Sequence, residues 1–417
     1  MNKLIQYLFL GFIPLYPVWA MIVYSITKRN INIFTFIIFI PVISYYIFTQ
    51  KIKIPKYLIF FILFTVYHFC SLIINHLIPF NMNFVYFIIS DTNLLACMIF
   101  LIIENTQFDD AFILKMNRLV FIIVIISLIV SIIQIKFPYF LISPEITNSI
   151  SNLTYIEQGR NFSIFSWVSL NSLGISFPIL ISILLGTFSI NKKTSSVAII
   201  SGLIVSFLSR ARYVMISSII VLSQLFFNLK IELKKKVYTL LIFTTSIMIL
   251  IWLAKIYDVN IQQIIDTRVL EKNTGMASAK VRITSFEVFK IIFPEHPWLG
   301  VGPETRADVI QLMRGVAPVI HVGYLSYLYF YGFFGASLLF ISFFYLLKNA
   351  WFVGKKHLFW GSFYGLVTLL AANFTLVYFN MSEMGIILAL IYLKHFNELS
   401  ASKLLEEKLD QHSQLIQ

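Results

Sequence analysis

The chain has 417 residues, of which 59% are hydrophobic and only 12% charged, with a formal net charge of +13. That balance excludes a soluble domain, whose surface needs far more charge. It predicts an all-α, polytopic membrane protein, and the excess of Lys and Arg is assigned to cytoplasmic loops rather than to a nucleic-acid partner.

Apolar runs long enough to cross a hydrocarbon core recur from end to end. About twelve spans are predicted, at roughly 4–26, 31–49, 57–77, 84–103, 118–136, 166–188, 194–209, 213–228, 236–255, 321–347, 357–379 and 382–397. Pro14, Pro17, Pro41 and Pro178 fall inside spans, where membrane helices tolerate kinks. Lys3 and the long apolar run after it read as a first span that also targets the chain, not as a removed signal. Cys70 and Cys97 both lie in apolar runs, which argues against a disulfide framework or a metal cluster.

Every second loop is basic: Lys51, Lys53 and Lys56; Lys115 and Arg118; Lys192 and Lys193; Lys230 with Lys234, Lys235 and Lys236; Lys348, Lys355 and Lys356. Placing these inside puts both termini in the cytoplasm. Lys28 and Arg29 are the main exception. The chain then divides into spans one to nine (1–255), a large outer loop with amphipathic helices (256–320), spans ten to twelve (321–397) and a polar cytoplasmic tail (398–417).

Candidate chemistry collects on the outer side. Ser209-Arg210-Ala211-Arg212 joins two spans where arginine defies the inside bias. The guanidinium groups of Arg210 and Arg212 suit bidentate binding of phosphate oxygens, or they snorkel to lipid headgroups. Residues 280–293 have helical periodicity, with Arg282, Phe286, Phe289 and Phe293 on one face. This predicts an interfacial helix lying on the bilayer, with Arg282 as the odd residue on the apolar side. Gly302-Pro303-Glu304 predicts a helix start, closed by Gly315 and Pro318. On that helix Arg306, Ile310 and Arg314 would share a face, able to hold a diphosphate or simply to be solvated. His321 follows, where the loop meets the tenth span. It could accept a proton from a hydroxyl, or it could serve the helix end. Gly332 and Gly335 further along would let another helix approach closely. His68, His76 and Glu383 are weaker candidates, His68 as a hydrogen-bonder in helix packing.

At these residues, roughly Leu208 to Leu347, the chain resembles the bacterial O-antigen polymerase and O-antigen ligase family. The resemblance rests on Ser209-Arg210, on Arg282 followed by Pro297-Trp298-Leu299-Gly300-Val301-Gly302, and on His321 with Gly332 and Gly335. Val322 departs from the ligase pattern, which prefers a polar residue there.

The resemblance implies an inverting glycosyltransferase of the bacterial inner membrane, independent of metals and cofactors, with its site facing the periplasm. The donor it implies is a glycan on undecaprenyl diphosphate. The acceptor would be another lipid-linked repeat unit for a polymerase, or lipid A-core for a ligase, and a chain-length regulator is a further partner left open. Arg210, Arg282 and either Arg306 or Arg314 would meet the charge of the leaving diphosphate, and His321 would be the base. A lipid-linked oligosaccharide transporter is an alternative of another class. Internal repeats and midplane charges, expected of transporters, are not evident in the sequence.

Overall fold

A computed structural model describes residues 2–28, 31–49, 51–75, 77, 83–147, 156, 159–168, 171–186, 192–227, 233–256, 277–304, 306–313, 320–374 and 381–414. All regular structure among them is helical. In order these are α1 Asn2–Phe12, α2 Tyr16–Thr27, α3 Ile31–Thr49, α4 Lys56–Ile74, α5 Asn83–Ser90, α6 Thr92–Asn105, α7 Asp110–Lys136 and α8 Pro144–Thr147. A 3-10 turn, Ser163–Trp167, leads to α9 Ser172–Gly186, α10 Lys192–Leu208, α11 Arg212–Phe227 and α12 Leu233–Ile256. Then come α13 Ala277–Ile292, α14 Ala307–Leu312, α15 Gly323–His357, α16 Gly361–Ala372 and α17 Met384–Gln414.

Four helices (α3, α4, α7 and α15) are long and apolar enough to cross a membrane. A fifth span results if α1 and α2 count as one, but they meet at a bend of 75°. Pro17 stands in the first turn of α2, where its missing N–H leaves no helix bond unmade. The span expected at 4–26, with Pro14 and Pro17 as kinks inside it, is two helices with a sharp bend between them. The run expected at 84–103 is also broken, because Asp91 caps α6 by accepting from the Leu94 N–H at 2.8 Å. Other apolar helices are short. The 15 residues of α9 reach about 22 Å at 1.5 Å per residue, less than the roughly 30 Å of a hydrocarbon core.

Large apolar side chains such as Phe48, Val66, Phe344 and Phe352 point outward, while small polar residues such as Ser127, Ser182, Ser285 and Ser342 are buried. The hydroxyls of Ser127 and Ser285 donate to the carbonyls four residues back, at 2.7 Å in both cases. Small residues with self-satisfied hydroxyls let helices approach closely without an apolar driving force.

Hydrogen bonds and ring contacts fix which helix ends lie together. Ser172, which opens α9, donates to both carboxylate oxygens of Glu383, just ahead of α17. At the far end of α9, Ser182 donates to the Gly361 carbonyl, where α16 begins. The Gly323 N–H at the start of α15 donates to the Asn373 carbonyl past the end of α16. The Tyr213 ring, near the start of α11, fills the space beside Gly174 that a Cβ would need. The starts of α9, α11, α15 and α17 and the end of α16 thus share one end of the bundle. Lys53, Lys355, Lys356 and Lys394 lie at the other end: Lys53 and Lys394 meet the end of α6, and Lys355 and Lys356 close α15.

Candidate functional site

The segment 297–302 is a strap laid into a break in α15. Gly332 has φ +60° and ψ −171°, outside any helix. The backbone bonds lost there are exchanged with the strap one for one. Val301 and Gly302 donate their N–H groups to the carbonyls of Tyr329 and Phe330, at 3.1 and 2.9 Å. In a continuous helix those carbonyls would have taken the N–H groups of Phe333 and Phe334. These donate instead to the carbonyls of Pro297 and Trp298, at 2.7 and 3.1 Å. The exchange keeps these four N–H groups and four carbonyls bonded, which is what makes a break tolerable here. A Cβ on Gly332 would collide with the Trp298 carbonyl, and one on Gly300 with the Phe330 carbonyl. The close approach expected at Gly332 is therefore made by a loop and not by a helix. At Gly335 it is made by the Tyr67 ring of α4.

The strap ties α13 to α15. The ring of Phe293, just past α13, meets Phe333 edge-on at 5.1 Å, and Trp298 lies 5.9 Å from the same ring. Higher up, the His321 N–H donates to the Ser285 hydroxyl at 2.9 Å. The stripe that α13 buries is Ser285, Val288 and Ile292. Phe286, expected on the face that lies on the bilayer, is exposed, and Phe289 and Phe293 are half-buried.

This packing brings together two residues singled out in the sequence. Arg282 and His321 are both partly buried. Burial, and then the positive charge of Arg282, hold the His321 imidazole below its usual value of 6.5. At neutral pH the ring is therefore neutral and can accept a proton.

Arg210 occupies the turn between α10 and α11, at the same end of the bundle. Its φ is +51°, a left-handed conformation that costs a non-glycine residue about 1–2 kcal/mol. The turn is held by Ser209, whose hydroxyl donates to the Ser206 carbonyl at 2.7 Å and accepts from the Ala211 N–H at 3.3 Å. The Arg210 guanidinium lies against Gly159, close enough that a Cβ there would come within 2.7 Å of Nη1. Gln134, Gly159, Asn161 and Arg210 border a cavity of about 60 Å³. Arg212 opens α11.

Arg306 differs from its expected setting. The helix predicted to open at Pro303 starts at Ala307, with Arg306 at the capping position and extended, φ −63° and ψ +151°. Gly302 is drawn to Phe330 by the strap, which carries the following residues away from a helical path. Arg306 therefore does not share a helical face with Ile310. It pairs with Asp308 at 2.6 Å and Glu295 at 3.3 Å, on the rim of a groove of about 560 Å³ that also touches Asn75, His296 and Glu304. Arg314, Gly315, Pro318 and His76 lie outside the described residues.

Sequence reasoning passed over Arg160 and set Glu383 and His68 among the weaker candidates. Arg160 follows Gly159 and donates to the Tyr213 hydroxyl at 3.3 Å, with its guanidinium 5.2 Å from the Phe162 ring centre. It sits in a loop that the basic-loop pattern assigns to the outer side, where basic charge is a usable signal. Glu383 is 2% exposed and bound by Ser172 and Ser176. His68 is bridged between Asp91 and Tyr331. No protein-family model matches the sequence, and no curated protein matches it significantly.

Proposed function

We propose that the protein is a membrane glycosyltransferase that polymerises lipid-linked repeat units of an O-antigen or capsule. In this reading the chain spans the bacterial inner membrane about twelve times, with the lysine-bearing end in the cytoplasm and the arginine-bearing end in the periplasm. The carrying observation is that the bond from the His321 backbone N–H to Ser285 of α13 sets His321 beside the helix that carries Arg282, within its electrostatic reach, with Arg210 at the same end of the bundle.

The chemistry balances without a metal. A hydroxyl of the acceptor sugar attacks the anomeric carbon of the donor, and the bond from that carbon to the diphosphate oxygen breaks with inversion. The acceptor proton passes to the neutral His321 imidazole. The electron pair leaves with the polyprenyl diphosphate, whose charge is met by Arg282 and Arg210. A partly dry site strengthens both interactions. Val322, where the ligase pattern has a polar residue, favours a lipid-linked acceptor over lipid A-core.

The test is transfer by the purified protein in lipid nanodiscs, given undecaprenyl-diphosphate repeat units. A ladder of lipid-linked oligomers without lipid A-core is expected. Product formed only when lipid A-core is added would mean a ligase, and no product in either case would end the glycosyltransferase reading.

A further inference from the structure

Below the strap lies a second, separate ionisable cluster. His68, in the middle of α4, is 5% exposed. Its Nε2 is 2.9 Å from Asp91 Oδ2 and its Nδ1 is 2.8 Å from the Tyr331 hydroxyl. Asp91 is itself fixed, because its other oxygen caps α6. The preceding residue of α4 grips the same place: the Tyr67 hydroxyl lies 2.6 Å from the Leu299 carbonyl and 3.2 Å from the Tyr331 carbonyl. Phe64, one turn earlier, meets the Tyr331 ring edge-on at 5.1 Å.

Packing alone does not call for this arrangement. A buried carboxylate–imidazole pair is expensive, and apolar residues of similar volume often stabilise as well or better. Ionisable groups deep in an apolar bundle are rare and mark function more often than structure. The position of this pair gives it a task. Tyr331 immediately precedes the break at Gly332, and the strap that fills the break runs back into α13, which carries Arg282 and Ser285. Tyr331 follows directly on Tyr329 and Phe330, whose carbonyls hold Val301 and Gly302, so a side chain that fixes Tyr331 bears on the anchor of the strap.

We propose that His68, fixed by Asp91, is a positioning residue that locks Tyr331 and the strap, and so sets the placement of Arg282 against His321. The link to turnover rests on the glycosyltransferase reading; the clamp itself does not. The chain runs Asp91, His68, Tyr331, then through Tyr67, whose hydroxyl meets the Tyr331 and Leu299 carbonyls, to the strap and α13.

Hydrogen exchange at the Val301 and Gly302 amides, measured alongside turnover in the nanodisc-held protein, tests this. Tyr331→Phe removes one oxygen and keeps the ring packing, so it should fold. It should speed exchange at those two amides about tenfold, the worth of one buried hydrogen bond. It should lower kcat/KM for the donor by a similar factor, because Arg282 meets the donor diphosphate. His68→Ala should do the same, and His68→Ala with Tyr331→Phe should be no worse than either alone. Parental exchange and parental turnover in Tyr331→Phe would overturn the proposal. So would faster exchange spread evenly over α4, α6 and α7, which would make the cluster mere packing. If His68→Ala does not accumulate, Tyr331→Phe decides alone. If the parent shows no transfer at all, the functional reading fails, while the exchange result still decides the clamp.

Discussion

The two histidines of this bundle carry the same ring into opposite settings. His68 is enclosed, with a carboxylate at one nitrogen and a phenol at the other. His321 is partly open, lies where a loop meets α15, and has a guanidinium for its electrostatic neighbour. The first setting holds a ring still. The second disfavours the charged form and keeps the ring able to take a proton at neutral pH. Environment assigns the role.

The largest effect is expected at His321. His321→Ala should lower turnover by about 10²–10⁴-fold, the usual worth of a general base, with little change in donor affinity. Near-parental turnover would leave His321 with a structural role only. The arginines come next. Arg210→Lys keeps the charge but not the fork. It should weaken donor binding roughly 10–100-fold, as the loss of a charge-assisted hydrogen bond does, and a donor titration reads this directly.

A smaller, structural effect is expected at the break. Gly332→Ala forces a Cβ towards the Trp298 carbonyl at a positive φ. It should cost at least about 1–2 kcal/mol and appear as a lower thermal midpoint together with faster exchange in the strap. The smallest belongs to Arg306. Its ion pairs with Glu295 and Asp308 are exposed, so Arg306→Ala should change stability by no more than about 1 kcal/mol. Donor affinity should hold as well. A large loss there would place Arg306 in the diphosphate site after all.

What could be read from the sequence follows the range of the physics involved. Apolar runs and alternating basic loops are local, so helices stand where spans were expected. Breaks are not local. Asp91 interrupts an apolar run by capping α6, and its second oxygen is taken by a residue 23 positions away. Gly332 reads as a packing glycine until the strap, thirty or more residues earlier in the chain, exchanges bonds with it. Arg282 and His321 were marked one by one by charge, position and resemblance, but their meeting depends on Ser285, a serine with no local pattern to single it out. His68 was named only as a hydrogen-bonder, since nothing near it in sequence points to Tyr331.

The pH dependence of turnover tests the pairing of Arg282 and His321 most directly. A base must be neutral to act, so activity should fall as pH drops through the His321 value, which lies below 6.5 in the parent. Removing the positive neighbour favours the imidazolium and raises that value. Arg282→Gln should therefore shift the acid limb of its residual turnover towards higher pH, and His321→Gln should abolish the limb. An acid limb that stays in place in Arg282→Gln, or that survives in His321→Gln, would contradict the account.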